Sequence, residues 1–480
     1  MPQHHKVFLA VAYLIVLALQ LSNLQHAFFW DTTQLAADHA TFFYSTGFSS
    51  WLLPDAIDSG HIPTFGFYIA LVWKIFGRTL VASHLAMVPF AMGVVWQLYR
   101  LCARFVPREF VGIALLLILL DPTLLSQFTL VSPDVPLVFF FLLGTNAVLE
   151  NRKYILALSA LLLFLTSMRG MMVVICLLLL DLYCNFSFSD KRKLFFDLLK
   201  RSLLYVPSLI VFVVFNTYHF IHKGWIGYHK DSPWADCFAP VGFKGFVFNI
   251  GIYGWRLLDF GRIGIWVVFI FLLVRLRKSI FRHKPIRLLL LFTLALMVFL
   301  PANMLWAKNL LAHRYLLPIY LIFGLFAATL LFQPEVTNQT KWLLSGVWLV
   351  VLVSGNFWIY PPKIAKGWDS TLAHLPYYQL RLEAISYLDQ QHIDFSDVQS
   401  FFPNVHSIGL LDLNNDPRNF NNYDGQSTYV FYSNIYNLDD AVYDELFARY
   451  ERIKSFENQG VYVWILRKRQ HIGTKFQPII

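Results

Sequence analysis

The chain has 480 residues, of which 57% are hydrophobic and only 14% charged, and its mean hydropathy is +0.52. Soluble domains carry about 25% charged residues, so this composition excludes a cytosolic globular protein, a disordered chain and a nucleic-acid module, despite a net charge of +10. The four cysteines (Cys102, Cys176, Cys184, Cys237) are scattered mostly through apolar runs, without the spacing of a disulfide framework or a metal site.

The first apolar run, 7–24, follows Lys6 and lacks a small-residue cleavage site after it, so it reads as a retained signal anchor. Runs able to cross about 30 Å of hydrocarbon follow near 80–100, 109–127, 135–150, 154–168, 170–186, 202–221, 261–277, 286–303, 314–332 and 341–360. A shorter run, 62–76, is ambiguous, and charge decides it. If it does not cross, one side of the membrane collects Arg100, Arg104 and Arg108, then Arg152 and Lys153, then Lys191, Arg192, Lys193, Lys200 and Arg201. Arg275, Arg277, Lys278, Arg282, Lys284 and Lys341 join them. Cytoplasmic loops favour Lys and Arg, so the sequence predicts about eleven spans, an inside amino terminus and an outside C-terminal domain.

The membrane part is then 1–360, with a long first external loop over 25–79, and an extracytoplasmic α/β domain occupies 361–480. The 11 basic and 14 acidic residues from 361 onward leave a net +13 before it, as expected of a protein in contact with membrane lipid rather than nucleic acid. Within the loop, Leu35, His39, Phe42 and Phe43 fall near one helical stripe, which suits an interfacial helix. In the tail, 377–391 and 438–450 have helical spacing, 428–432 and 461–465 are β-rich, and the Asn/Asp-rich stretch 412–424 reads as a loop.

Ionisable groups beside apolar runs are functional candidates, because a charge at the bilayer centre costs roughly 2.5–3.5 kcal/mol. Asp31 follows the first span and Asp134 opens the fourth; both fall on the outer face. Two carboxylates there could hold a divalent cation, orient an acceptor hydroxyl or act as a general base, or each could cap a helix. Asp38, Asp55 and Asp58 in the same loop read first as solvated. Arg169, Arg256, Arg262 and the His313-Arg314-Tyr315 run lie on that side too. A guanidinium fork suits phosphate oxygens, although an arginine at an interface also snorkels to headgroups. His39 and His61 stand alone, as most non-ligand histidines do. No phosphate-binding loop, dinucleotide fingerprint or serine elbow is present.

Four elements in order carry a resemblance. They are Trp30-Asp31; Gly60-His61-Ile62-Pro63-Thr64-Phe65-Gly66 leading to Phe76-Gly77; Ser132-Pro133-Asp134-Val135-Pro136-Leu137; and His313-Arg314-Tyr315-Leu316-Leu317-Pro318. The chain resembles the GT-C class of membrane glycosyltransferases, in the branch of protein O-mannosyltransferases and lipid A aminoarabinose transferases. It departs at Thr32, where the family often has glutamate, and at Ile62, where a proline is lost.

The resemblance implies transfer of a sugar from a polyprenyl-phosphate carrier to a glycan, lipid or protein acceptor at the extracytoplasmic face; the short soluble tail points to a bacterial inner membrane. It implies that Asp31 is the catalytic acid or base and Asp134 its orienting or metal-binding partner, a divalent cation being the candidate cofactor. It also implies that Arg169 and Arg314 hold the lipid phosphate, with His61, His313 and Tyr315 on the substrate. The alternative is a transporter or flippase of lipid-linked saccharides, which calls for mid-span charges and paired repeats.

Overall fold

The computed structural model describes residues 3–185, 191–227, 229–230, 235–277, 283–309 and 311–469. Lys278 and Arg282 lie outside the described residues, as do the side chains of Lys191, Arg192 and Lys193. The chain divides into two compact units. One is Met1–Trp358 with Asp369–Leu372, and the other is Ile359–Trp368 with Ala373–Ile480.

Every long apolar run predicted from the sequence is helical. Helix α1 is Gln3–Ser22. A helical stretch beginning at Asp31 winds as a π-helix over Thr33–Asp38 and continues into α2, His39–Ser45. Helix α3 is Thr64–Phe76, α4 is Leu80–Leu85 and α5 is Val88–Phe105. At 13 residues, or about 20 Å, α3 is too short to cross the hydrocarbon. Gly66 lets α3 settle on the preceding helix, since a Cβ there would stand 2.3 Å from that of His39.

The next run does not make a straight span. Helix α6, Val111–Leu119, turns by 72° into α7, Pro122–Phe128. Asp121 caps α7 by accepting from the amides of Thr123 and Leu124 at 2.9 and 3.2 Å. Helices α8 (Asp134–Leu149), α9 (Lys153–Thr166) and α10 (Met168–Asn185) follow as an antiparallel packed group.

Helices α11 (Lys191–Ser202) and α12 (Val206–Lys223) meet at 51°, and a short α13 spans Ala235–Phe238. A second sharp break, of 86°, separates α14 (Phe243–Leu258) from α15 (Arg262–Leu276). Gly261 makes that turn at φ +82°, and a Cβ on it would lie 2.0 Å from the Val351 carbonyl oxygen. Helices α16 (Lys284–Phe299), α17 (Leu317–Leu331) and α18 (Asn338–Gly355) complete the unit. Helix α17 is buried along its whole length, so it is the central post of the bundle. Among the described residues, five helices are long and apolar enough to cross a bilayer, or up to eight with each bent pair counted as one span. Helices α3, α8 and α9 are shorter apolar segments. The chain is an integral membrane protein.

The two broken helices are joined at their breaks. Arg262, 2% exposed, donates to both carboxylate oxygens of Asp121 at 2.7 Å and to the Thr123 hydroxyl at 2.6 Å, and lies over the Tyr320 ring at 3.6 Å. The basic residues that set the predicted orientation gather elsewhere. Glu150, just beyond α8, pairs with Arg100 and, at 2.8 Å, with Arg152. Asp181 near the end of α10 takes Arg201 at 2.6 Å. Asp134 and Arg169 stand at the opposite ends of these same two helices, about 24 Å away along the 16 residues of α8.

The second unit carries a five-stranded mixed sheet of order β2-β1-β3-β5-β4. Its strands are β1 (Val398–Ser400), β2 (Asn421–Asn422), β3 (Tyr429–Ser433), β4 (Tyr450–Asn458) and β5 (Val461–Lys468). Helices α19 (Pro376–Gln390), α20 (Ile408–Leu411) and α21 (Asp440–Arg449) accompany it. Two refinements of the predicted elements follow. The stretch 412–424 contains β2, and β4 was not foreseen because its Glu451, Arg452 and Lys454 make it read as polar loop. The segment Asp369–Leu372, placed by sequence in the C-terminal domain, belongs instead to the helical unit.

Candidate active site

Asp31 and Asp134, 103 residues apart in sequence, meet around one side chain. Arg314 lies in a 3-10 turn, His313–Leu316, that feeds α17. Each of its three nitrogens faces a carboxylate: Nη2 on Asp31, Nε on Asp134 at 3.3 Å, and Nη1 on Asp369. Arg169, at the start of α10, donates from Nη1 to the other oxygen of Asp134. Tyr315 underlies the group. Its ring lies 3.9 Å from the Arg169 guanidinium and 4.7 Å from that of Arg314, and its hydroxyl is 3.0 Å from Arg314 Nη2 and 3.4 Å from Asp31.

Local structure aims each carboxylate. Trp30 adopts φ +50°, a region costly for a side chain of that size, and turns the chain immediately before Asp31. Thr32 closes that turn, its hydroxyl accepting from the Phe29 amide and donating to the Phe29 carbonyl, both at 2.8 Å. The π-helix follows at once, a rare form that recurs at functional sites. Asp134 opens α8, but its carboxylate serves the arginines rather than capping the helix, and the Ser132 hydroxyl lies 3.3 Å from it.

Asp369 was invisible to sequence reading. Its carbonyl accepts from Ser126 Oγ at 2.7 Å and Gln127 Nε2 at 2.8 Å, both on α7, and the Ser370 carbonyl accepts from Thr123 at 3.0 Å. Gln127 Oε1 in turn accepts from Ser132 at 2.6 Å, so one amide links the backbone of Asp369 to the residue beside Asp134.

Burial raises the Asp31 carboxyl above its ordinary value. The Arg314 and Arg169 charges oppose that rise, and the Asp134 charge adds to it. Asp38, further along the π-helix, is pushed up to about 7 by burial.

Beside Arg169 lies a small cavity of about 30 Å³ walled by Leu35, His39, His61, Pro133, Phe65 and Ser167. His61 holds the Ser59 carbonyl at 2.9 Å, and burial lowers its pKa; burial likewise lowers that of His39 to about 4, so both rings are neutral at pH 7. The Ser167 hydroxyl is 5% exposed and makes no hydrogen bond among the described residues.

Three expectations are revised by this geometry. His313 is not with Arg314: it is fully buried, hydrogen-bonded to Asp259 at 2.8 Å and packed on Phe260 at 4.5 Å, within the α14–α15 break. Asp58 is no solvated residue, but binds Lys223 at 2.6 Å and His219 at 3.1 Å from α12. Asp31 and Asp134 do not fit a metal site, since a guanidinium stands between them. Among the described residues no three His, Cys, Asp or Glu side chains converge as a ligand set.

The sequence matches no family model and no curated protein. In structure, the chain is similar to ArnT from Cupriavidus metallidurans. The crystal structure of that protein bound to undecaprenyl phosphate superposes with a TM-score of 0.44 at 14% identity, covering 76% of this chain and 67% of that one. Its apo state gives a TM-score of 0.45 at the same 14% identity, covering 76% of this chain and 66% of that one.

Proposed function

We propose that this protein is a GT-C type glycosyltransferase that moves a hexosyl or pentosyl group from a polyprenyl-phosphate carrier to a glycan, lipid or protein acceptor. The reaction takes place at the extracytoplasmic face of a membrane, which we take to be the bacterial inner membrane, with the C-terminal domain on that same side. The observation that carries the reading is the convergence of Asp31 and Asp134 on Arg314, with Arg169 and a small cavity beside them. The family resemblance of these same residues supports it.

In the reaction, the bond between the sugar's anomeric carbon and the phosphate oxygen breaks, its electron pair leaving with the phosphate. The acceptor oxygen attacks that carbon, and Asp31 takes the acceptor's proton. Asp134 orients Arg169 and Arg314. Arg169 spends Nη1 on Asp134 and borders the cavity, so we assign to it the charge that builds on the departing phosphate. Arg314, with a carboxylate on every nitrogen, holds the acids in place. His61 and Ser167 offer neutral polar contacts to the donor, and Tyr315 carries both arginines on its ring. No step is routed through a divalent cation.

Proteoliposomes supplied with a labelled lipid-linked sugar test this. Wild-type protein transfers the label, and Asp31→Asn lowers kcat by roughly 10²–10⁴-fold, the usual worth of a positioned base. Full activity of Asp31→Asn removes Asp31 from its role. Flux of the intact lipid across the bilayer without product would favour the transporter instead.

A further inference from the structure

Among the described residues, Arg314 is the only cation touching Asp31, and it is shared among three acids supplied by three separate parts of the chain. Asp369 is the one farthest in sequence. It is 6% exposed, Ser370 and Thr371 next to it are fully buried, and three side chains of α7 hold its backbone and that of Ser370. Nothing in the reaction needs a third acid to touch substrate, yet this one is fixed more firmly than a tethering loop requires. An ion pair buried this deeply is retained where it sets geometry.

We propose that Asp369 is a positioning residue of the active centre: by gripping Nη1 of Arg314 it fixes the orientation in which Nη2 meets Asp31 and Nε meets Asp134, and it shares the positive charge that Asp31 would otherwise command alone. This rests on the function proposed above. The groups facing Asp31 are Arg314 and Tyr315 before α17, Asp134 on α8, Arg169 on α10 and, more distantly, Cys237 on α13. With Asp369 neutral, Arg314 acts more fully on Asp31, and the base loses strength as well as its place.

The test compares Asp369→Asn and Asp369→Glu in the full-length protein, reconstituted with a labelled polyprenyl-phosphate sugar. Asp369→Asn lowers kcat about 10-fold, as loss of alignment does, while the donor KM stays within about twofold. It also moves the acid limb of the pH profile down by about one unit, the scale of one charge several ångströms away. Asp369→Glu returns the limb to its wild-type position. Wild-type kcat and an unmoved limb in Asp369→Asn overturn the proposal, as does a loss of kcat with the limb unmoved, which marks a folding role.

If Asp369→Asn does not accumulate as folded protein, Gln127→Met removes one of the two donors to the Asp369 carbonyl and leaves every charge in place. The proposal then requires kcat to fall and the limb to move in the same direction, and no change in either overturns it. Should the wild type transfer no lipid-linked sugar at all, the function above fails by itself. The carboxylic-acid infrared band assigned to Asp31 by its loss in Asp31→Asn, followed against pH, then decides the inference. Its midpoint falls in Asp369→Asn if the positioning is real, and stays if it is not.

Discussion

Asp31 carries opposing influences, and their balance has a sign. Burial favours its acid form more than Arg314 and Arg169 favour the carboxylate, so its pKa lies above the ordinary carboxylate range. A base must be ionised to work, so transfer rises with pH through that elevated pKa, and a pH–kcat profile with an acid limb no higher than an ordinary aspartate's contradicts the burial. Asp38 gives a stability counterpart. Its carboxyl, pushed up to about 7, stays protonated in the fold where the unfolded chain has ionised, so this group's contribution to stability declines as pH rises from about 4 to 7. Asp38→Asn flattens that part of the melting profile. At the neighbouring arginine, Arg169→Lys keeps the charge but loses the planar fork over Tyr315, and kcat drops by roughly 10²-fold, as with other stabilisers of a leaving charge. Asp31, Asp134, Arg169, Arg314 and Tyr315 were legible in the sequence because charged or polar groups at the ends of apolar runs are conspicuous. His313 stands apart from that group for a geometric reason. In a 3-10 turn successive side chains diverge by about 120°, which sends His313 to Asp259 while Arg314 reaches Asp31.

The broken helices explain how a bundle of spans keeps a polar centre. A straight span over 109–127 would carry α7 away from the site. The 72° turn capped by Asp121 brings Ser126 and Gln127 to Asp369. The Asp121–Arg262 pair that joins the two breaks is a buried ion pair, costly to break from one side. Arg262→Met therefore destabilises the protein by about 3–5 kcal/mol, read as the detergent-solubilised unfolding midpoint. The double variant Asp121→Leu, Arg262→Met recovers much of that loss, and strictly additive losses would deny the coupling. Hydropathy located these segments without finding their bends, because Asp121 lies inside one apolar run and Arg262 at the edge of another, and their pairing across 141 residues leaves no local trace.

Across the molecule, both fold classes were readable: long apolar runs give helices, and alternating β-branched and aromatic residues gave β3 and β5. The charge pattern also predicted that the basic clusters and the site residues sit at opposite ends of the same helices, as they do in α8 and α10. Which end faces the cytoplasm is tested by labelling single cysteines in oriented vesicles. Tyr154, 91% exposed beside Arg152, is expected to be reached from the cytoplasmic side, and Trp51, 53% exposed in the first loop, from the other. Labelling of both from one side would invert or abolish the proposed topology. Asp369 alone of the site acids stayed hidden, because it is one of 14 acidic residues in a polar stretch and its importance exists only once the chain folds back.

That fold-back sets a rule for anyone dissecting this protein. A stop codon after Trp358 looks like a neat excision of the second unit, yet it would also amputate Asp369–Leu372, which belong to the helical unit. Any defect in such a shortened chain would therefore say nothing about what the second unit does. The informative shortening ends beyond Leu372, where the helical unit keeps all of its own pieces.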